Sequence, residues 1–276
     1  MKFGLALPYN RTLQVPEWAK MAEDQGWDGI FLGDAIWTED PIIALTAAAL
    51  ATSRIRLGTM LIPVPLRRPW KIASESIALD HLSNGRLILG LGTGAAWMGW
   101  YAFPDEITDP QARADMLHET VEILTRMYQS KPFDFEGNHY HLKLTLLNEM
   151  YYPPQPRQKP RIPLWIPAVW PHHKSLQRTL KSDGVIVEKR SSGGKDAEVT
   201  PEDIAGLKAY LEANRPSANP FDIIINGNSY NLQNSQQQER IRQFKQAGAT
   251  WWIEGLWDAS PEAVTAVIKA GPPALK

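Results

Sequence analysis

The chain has 276 residues, of which 43% are apolar, and it carries 29 Lys and Arg against 30 Asp and Glu. A formal net charge of -1 argues against nucleic-acid and anionic-membrane partners, which would favour a basic surface. The absence of cysteine excludes disulfides, thiolate nucleophiles and thiolate metal sites, and the 11 tryptophans are the unusual part of the composition.

Apolar runs alternate with helical patterns along the chain. The predicted strands are 2–7, 28–33, 55–61, 86–92, 164–167, 184–188, 221–226 and 250–256, and the predicted helices are 16–26, 41–52, 69–82, 109–130, 173–181, 201–213, 236–247 and 261–270. The strands are continuous apolar runs, which is typical of a parallel sheet covered on both faces.

Eight such units favour an α/β fold of the eight-stranded (β/α)8 TIM-barrel type over a doubly wound sheet. We expect residues 1–276 to form a single domain, with an excursion at 132–163 between units four and five, where proline and aromatic residues replace a clear helical pattern. No signal sequence or membrane-spanning run is recognised, so a cytoplasmic protein is expected.

Six tryptophans follow predicted strands, at the end where β/α barrels build their active sites. They are Trp37, Trp70, Trp97, Trp100, Trp170 and Trp257. Converging flat side chains indicate a pocket for an aromatic ring system or a hydrophobic small-molecule substrate. The residues assigned to substrate binding are Trp37, Trp97, Trp100 and Trp257. The alternative is that these rings only fill the top of the barrel.

Few polar groups at this rim suit acid–base chemistry. Asp34 ends a buried strand, where it is either a general base or a structural hydrogen-bond acceptor. His172 and His173 follow the fifth strand and are further candidate catalytic residues. Two adjacent histidines do not easily chelate one ion and no matching carboxylate cluster is seen, so no metal site is expected.

Three segments resemble the bacterial luciferase-like superfamily of flavin-dependent monooxygenases and oxidoreductases. They are residues 26–34 (GWDGIFLGD), residues 57–94 with the run LDHLSNGRLILGLGTG at their end, and residues 135–140 (FEGNHY) with the proline-rich stretch after them. The second is the most specific, because the family's LD-x-LS-G-GR-x-x-LG-x-G block is matched nearly throughout. The resemblance covers roughly residues 1–190.

This resemblance implies a barrel that binds FMN, or alternatively coenzyme F420, at its C-terminal face. The isoalloxazine ring is expected against a bulge after the third strand, which often carries a non-prolyl cis peptide. The positions matched to cofactor contacts are Thr59, Met60 and Leu61 in the bulge, Thr93 and Gly94 after strand four, and Ala168 and Trp170 after strand five.

Three places depart from the family pattern. The strand-five loop is usually Gly-rich where the cofactor phosphate lies, and here it reads Ala168-Val169-Trp170-Pro171. Ala35 stands where a histidine commonly follows the acidic residue, and Ala95 stands where a glutamate often follows Gly-Thr-Gly. His172 or His173 is a candidate substitute for the missing histidine.

The first expectation is a monooxygenase that uses reduced FMN and O2 on a small organic substrate. An F420-dependent hydride-transfer oxidoreductase, a non-catalytic flavin-binding relative and a cofactor-free barrel hydrolase or isomerase are the alternatives. A flavin reductase as supplier of reduced FMN and a homodimeric state are also expected.

Overall fold

A computed structural model of the chain describes residues 1–216, 219–230 and 234–274. Its strands are β1 (Lys2–Leu7), β2 (Gly29–Leu32), β3 (Arg56–Thr59), β4 (Ile62–Pro63), β5 (Leu87–Gly92), β6 (Asp134–Glu136), β7 (His141–Lys143), β8 (Leu164–Trp170), β9 (Gly184–Lys189), β10 (Asp222–Gly227) and β11 (Trp251–Gly255). Its helices are α1 (Val15–Asp24), α2 (Pro41–Ala51), α3 (Pro69–Leu82), α4 (Pro110–Met127), α5 (His173–Thr179), α6 (Pro201–Asn214), α7 (Asn234–Ala247) and α8 (Pro261–Ala270).

Eight parallel strands form one closed barrel, as predicted. Hydrogen-bonded neighbours run in the order β3-β2-β1-β11-β10-β9-β8-β5, and pairing of β3 with β5 closes the ring. The short strand β4 continues the third barrel position and pairs with β5. The helices between the strands cover the barrel, which confirms the (β/α)8 TIM-barrel prediction. None of the helices in the described part of the chain is long and apolar enough for a membrane crossing.

Local sequence sets where the helices begin. Five of them, α2, α3, α4, α6 and α8, have proline as first residue, where the missing amide donor is not needed. Side chains then cap exposed amides, as where Asp40 accepts hydrogen bonds from the Ile42 and Ile43 amides at 2.7 and 3.3 Å. These caps fix the loops that lead from the carboxyl ends of the strands into the helices.

The barrel interior is filled by an aromatic layer. Phe31 stacks on Trp165 with centroids 5.2 Å apart, and Trp251 meets both rings edge-on at 5.6 and 5.4 Å. Glycines leave the room for these rings, since a Cβ on Gly58 would lie 2.4 Å from the Phe31 ring. The interior below the mouth is therefore closed by packed side chains, and any ligand must bind above it.

The excursion at 132–163 packs against the outer helices. Strands β6 and β7 form an antiparallel hairpin. The Glu119 carboxylate, on α4, accepts hydrogen bonds from the amides of Asn138, His139 and Tyr140 at its turn. Phe135 is also buried. The expectation of an excursion between units four and five is confirmed. Its Phe133, Phe135 and Tyr140 are buried, whereas Tyr151 is 65% exposed.

Candidate active site

The predicted strand 55–61 is interrupted by a bulge. β3 ends at Thr59 and β4 begins at Ile62, and the peptide bond between Met60 and Leu61 is cis. The Met60 amide donates to the Leu32 carbonyl at 2.7 Å, and the Leu61 carbonyl accepts from the Asp34 amide at 3.0 Å. The single-strand prediction is thus wrong at two residues, while the bulge expected from the family resemblance is confirmed.

Bare backbone lies beside this bulge on the neighbouring strand β5. Ile88 faces the interior, so Gly90 and Gly92 share its face. A Cβ on Gly90 would lie 2.2 Å from the Thr59 carbonyl oxygen, and one on Gly92 would lie 2.5 Å from Leu61 Cδ1. A side chain at Gly90 would clash with main-chain atoms, and one at Gly92 would have to displace the Leu61 side chain. The bulge and Leu61 therefore pack on β5 as an apolar surface above the interior cluster, and such a surface fits the flat ring system of FMN or F420.

Asp34 is held by Arg67, a residue that follows the bulge. Arg67 Nε donates to Asp34 Oδ2 at 3.0 Å, its Nη2 lies 2.9 Å from Oδ2 of Asp34 and of Asp40, and its Nη1 lies 3.4 Å from Glu75 Oε2. Burial raises the pKa of Asp34, and the charge of Arg67 opposes that rise without cancelling it. Burial lowers the pKa of Arg67, but the charges of Asp34 and Asp40 outweigh burial and raise it.

This network bears on the role predicted for Asp34. Its side chain is only 6% exposed, and one of its oxygens is already engaged by a guanidinium. That geometry favours the structural acceptor over the general base. Arg67 was not identified as its partner from the sequence, because the two residues lie 33 positions apart.

Tyr9 and Trp257 form a second wall of the mouth. Their rings stack with centroids 5.9 Å apart and planes inclined by 28°. Trp257 also packs on the interior cluster. Burial raises the pKa of Tyr9, and the charges of Asp34 and Asp258 raise it further.

Two polar side chains point inward from the far side of the barrel. Ile186 and Ile224 face the interior, so Glu188 and Asn226, two residues further on, face the mouth. Burial raises the pKa of Glu188, which Arg190 partly offsets. Neither was assigned to the site from the sequence, although the two-residue alternation of strands could have identified both.

A buried arginine of α4 holds the loop after β5 in place. Arg113, on α4, donates from Nε to the Thr93 carbonyl at 2.7 Å and from Nη2 to the Gly94 carbonyl. Its guanidinium also lies 4.1 Å from the centre of the Trp100 ring. Trp100 is 1% exposed. Thr93 and Gly94 are thereby held at the mouth, and Trp100 supports their loop from inside the protein instead of offering an open wall.

Several predicted residues lie away from the mouth. His172 is exposed and caps α5, its Nδ1 accepting from the Ser175 amide at 3.4 Å, and the exposed His173 meets Tyr210 edge-on. Ala168 and Trp170 belong to the outer cluster. A Cβ on Gly206 of α6 would lie 2.8 Å from the Trp170 ring. The side chains of Ala168 and Trp170 therefore face the helices, and only their backbone is available to a ligand.

Three rim tryptophans remain. Trp70, in the first turn of α3, meets Tyr140 edge-on at 6.4 Å between ring centres, whereas Trp37 and Trp97 are almost free of contacts. Trp37 is 82% and Trp97 is 80% exposed, and Trp37 meets Phe103 at 6.5 Å between ring centres. The six rim tryptophans do not converge into one pocket. Among the four assigned to substrate binding, Trp257 packs on the interior cluster and on Tyr9, while Trp37 and Trp97 lie exposed at the rim.

A family model described as luciferase-like monooxygenase matches residues 1–261. The chain belongs to this family. Curated relatives are named as oxidoreductases and monooxygenases, and both F420 and FMN occur among the names of similar proteins. The aligned segments span only 31% to 42% of the length of three of these relatives.

Three similar proteins illustrate the range. An F420-dependent glucose-6-phosphate dehydrogenase of Kineococcus radiotolerans is 30% identical over 138 residues, which is 47% of this chain and 41% of that protein. The structure of an F420-dependent secondary alcohol dehydrogenase with an F420–acetone adduct has a TM-score of 0.77 at 15% identity, covering 100% of this chain and 99% of that one. The oxygenating constituent of 3,6-diketocamphane monooxygenase of Pseudomonas putida, solved with FMN, has a TM-score of 0.65 at 18% identity, covering 87% and 70%. The two structural likenesses show the fold.

Proposed function

We propose that the chain is an F420-dependent oxidoreductase that transfers a hydride to or from a small organic substrate at the barrel mouth. The observation that carries the proposal is the bulge at Met60 and Leu61, which packs on the side-chain-free positions Gly90 and Gly92 of β5 and leaves an apolar surface above the interior cluster. Such a surface admits a flat ring but offers it few polar side chains, so the redox chemistry must come from the ring.

The choice of F420 over FMN rests on similarity. A relative of Mycobacterium tuberculosis named as a putative coenzyme F420-dependent oxidoreductase is 36% identical over 151 residues. An F420-dependent enzyme also appears among relatives at 30% sequence identity. These likenesses support the proposal and leave the substrate open.

The chain's own residues would bind and orient the ring. Leu61 and Gly92 would hold one face, and Trp257 would close the side toward β1. The Arg67–Asp34 pair would fix the bulge, since the Asp34 amide is hydrogen-bonded to the Leu61 carbonyl. When bound, F420 supplies or accepts a hydride, and the aromatic layer under the mouth keeps water from below.

The FMN-dependent monooxygenase expected first from the sequence is the second candidate. It is favoured by the exposed Trp37 and Trp97, which would cover a hydrophobic substrate on the lip. In that case a flavin reductase would be the partner that delivers reduced FMN. A homodimer and a cytoplasmic location are proposed together with either candidate.

The test is a titration of the purified chain with F420 and with FMN, followed by Trp fluorescence and visible absorbance. We expect F420 to bind more tightly, and Gly92→Val to abolish binding because its Cβ would displace Leu61. Gly193→Val is the matched control, since no atom lies within 4 Å of a Cβ there. Tighter binding of FMN would support the second candidate. A chain that binds neither would be a cofactor-free barrel enzyme, and binding without turnover would point to a non-catalytic relative.

A further inference from the structure

The loop after β1 places a tyrosine hydroxyl in the barrel mouth. We propose that Tyr9 is a catalytic residue, whose hydroxyl donates a hydrogen bond and then its proton to the carbonyl oxygen of a substrate that is being reduced. This inference rests on the proposed F420-dependent hydride transfer, and it adds the substrate class: an aldehyde or ketone, with the corresponding alcohol as product.

Gly33 shows where this hydroxyl lies. Phe31 faces the barrel interior, so position 33, two residues later, faces the mouth directly above it. A Cβ on Gly33 would lie 2.7 Å from the Tyr9 hydroxyl oxygen and 2.8 Å from the ring carbon that bears it. The phenol tip thus occupies the inward-facing space that any other residue at position 33 would fill.

The bulge is the next feature around the barrel. Leu32 and Asp34, on either side of Gly33, hydrogen-bond through their backbones to Met60 and Leu61 at 2.7 and 3.0 Å. Gly33, whose Cβ position the Tyr9 hydroxyl nearly fills, therefore lies about one strand spacing, roughly 4.8 Å, from the bulge. A substrate lying on a ring at the bulge therefore meets this hydroxyl.

Tyr9 is held in place by its neighbours, but its hydroxyl is free to bind a ligand. The Glu39 amide donates to Asn10 Oδ1 at 2.9 Å, and the Thr12 amide donates to Glu39 Oε2 at 2.8 Å, which locks the loop that carries Tyr9. Trp257 holds the ring by stacking. Among the described residues the Tyr9 hydroxyl makes no hydrogen bond. Burial raises the pKa of Tyr9, so the group stays protonated and able to donate.

In the proposed step, bound F420 in its reduced form would supply the hydride that adds to the carbonyl carbon, and the π electron pair of the carbonyl would move onto its oxygen. That oxygen takes the proton of Tyr9, so the phenol O–H bond breaks and the alcohol O–H bond forms. The phenolate then regains a proton from solvent. An alkoxide is a stronger base than a phenolate, so the proton moves toward the product.

The first measurement compares Tyr9→Phe with Tyr101→Phe, a matched control whose ring is 81% exposed. With F420H2 and a panel of aldehydes and ketones, we expect Tyr9→Phe to lower kcat by about 100-fold, as loss of a donor to a developing oxyanion does. The dissociation constant for F420 should change by less than about three-fold, because the ring rests on the bulge. Tyr101→Phe should behave like the wild type.

The second measurement does not depend on turnover. The eight tyrosines are labelled with 3-fluorotyrosine, and the Tyr9 fluorine resonance is assigned by its loss in Tyr9→Phe. Oxidised F420 is added, followed by cyclohexanone as the ketone probe, and we expect the Tyr9 resonance to move on each addition while that of Tyr101 stays in place. A Tyr9 resonance that ignores the ketone on F420-loaded protein, or a kcat within about three-fold of wild type, overturns the inference and leaves the proposed function standing. Failure of F420 to bind overturns both.

Discussion

Removal of Arg67 should destabilise the chain in a pH-dependent way. Arg67→Met leaves three carboxylates, those of Asp34, Asp40 and Glu75, without their shared cation. The Asp34 side chain is 6% exposed, whereas the other two are 34% and 31% exposed. Water can solvate the last two, so Asp34 determines most of the loss.

The size of the loss follows from this burial. Leaving one partner of a buried ion pair uncompensated costs about 3–5 kcal/mol, and the partial exposure of the network places Arg67→Met near the lower end, about 3 kcal/mol at pH 8. At about 2–4 °C per kcal/mol for a chain of this size, Tm should fall by about 6–12 °C.

The pH dependence has a definite sign. Burial already raises the pKa of Asp34 above the ordinary 3.8, and loss of Arg67 raises it further. Between the two pKa values the native state holds a proton that the unfolded chain has released, so native stability falls as pH rises, by at most about 1.4 kcal/mol per pH unit. The loss caused by Arg67→Met should therefore be smaller at pH 5 than at pH 8.

Thermal unfolding at pH 5, 6.5 and 8 measures this. Arg68→Met is the matched control, because the Arg68 side chain is exposed and its guanidinium lies over the Trp70 ring at 5.9 Å. It should cost less than about 1 kcal/mol at every pH. Adding Asp34→Asn to Arg67→Met should restore part of the stability at pH 8, since the uncompensated charge is gone. The reasoning is refuted if Arg67→Met loses the same stability at pH 5 and at pH 8. It is also refuted if the stability lost by the double variant equals the sum of the losses of the two single variants.

Three further predictions concern other parts of the barrel. Gly90→Ala should lower the unfolding free energy by at least about 2 kcal/mol, because its Cβ would lie 2.2 Å from a main-chain oxygen of β3, whereas Gly193→Ala should change it by less than about 0.5 kcal/mol in the same denaturation experiment. The raised pKa of Glu188 makes the native wild type retain a proton that the unfolded chain releases, so the wild type loses stability as pH rises above 4.5. Glu188→Gln has no such proton and should become more stable relative to the wild type over that range. Parallel curves of stability against pH for the two proteins would contradict this. Ile43→Glu, on the exposed face of α2 where Ile43 is 65% exposed, should convert the proposed homodimer to a monomer in light scattering, and an unchanged mass would place the interface elsewhere.

Periodicity predicted the strands and helices because each is a local pattern. The contacts that build the site are not local. The bulge came from a family resemblance, since residues 55–61 alone look like one strand. Arg67 reaches Asp34 only because β2 and β3 are neighbours in the closed barrel, which spacing along the chain does not reveal. The outward direction of the Ala168 and Trp170 side chains has a simpler cause: Trp165 points inward, and positions three and five residues after it must point outward.

At the mouth, inward-facing glycines leave space that side chains from outside the strands fill, so these side chains shape the site more than the strands do. Gly33 is filled by Tyr9, and Gly92 faces Leu61. A Cβ on Gly255 would lie 3.0 Å from the indole nitrogen of Trp257. In each case an inward position of a barrel strand carries no side chain, and a residue from a loop takes the space. Because loops tolerate substitution better than barrel strands, such a mouth can change its ligand while the barrel beneath it stays the same. The identity of the loop residues at these three glycines is therefore a better guide to substrate than the overall likeness of the barrel.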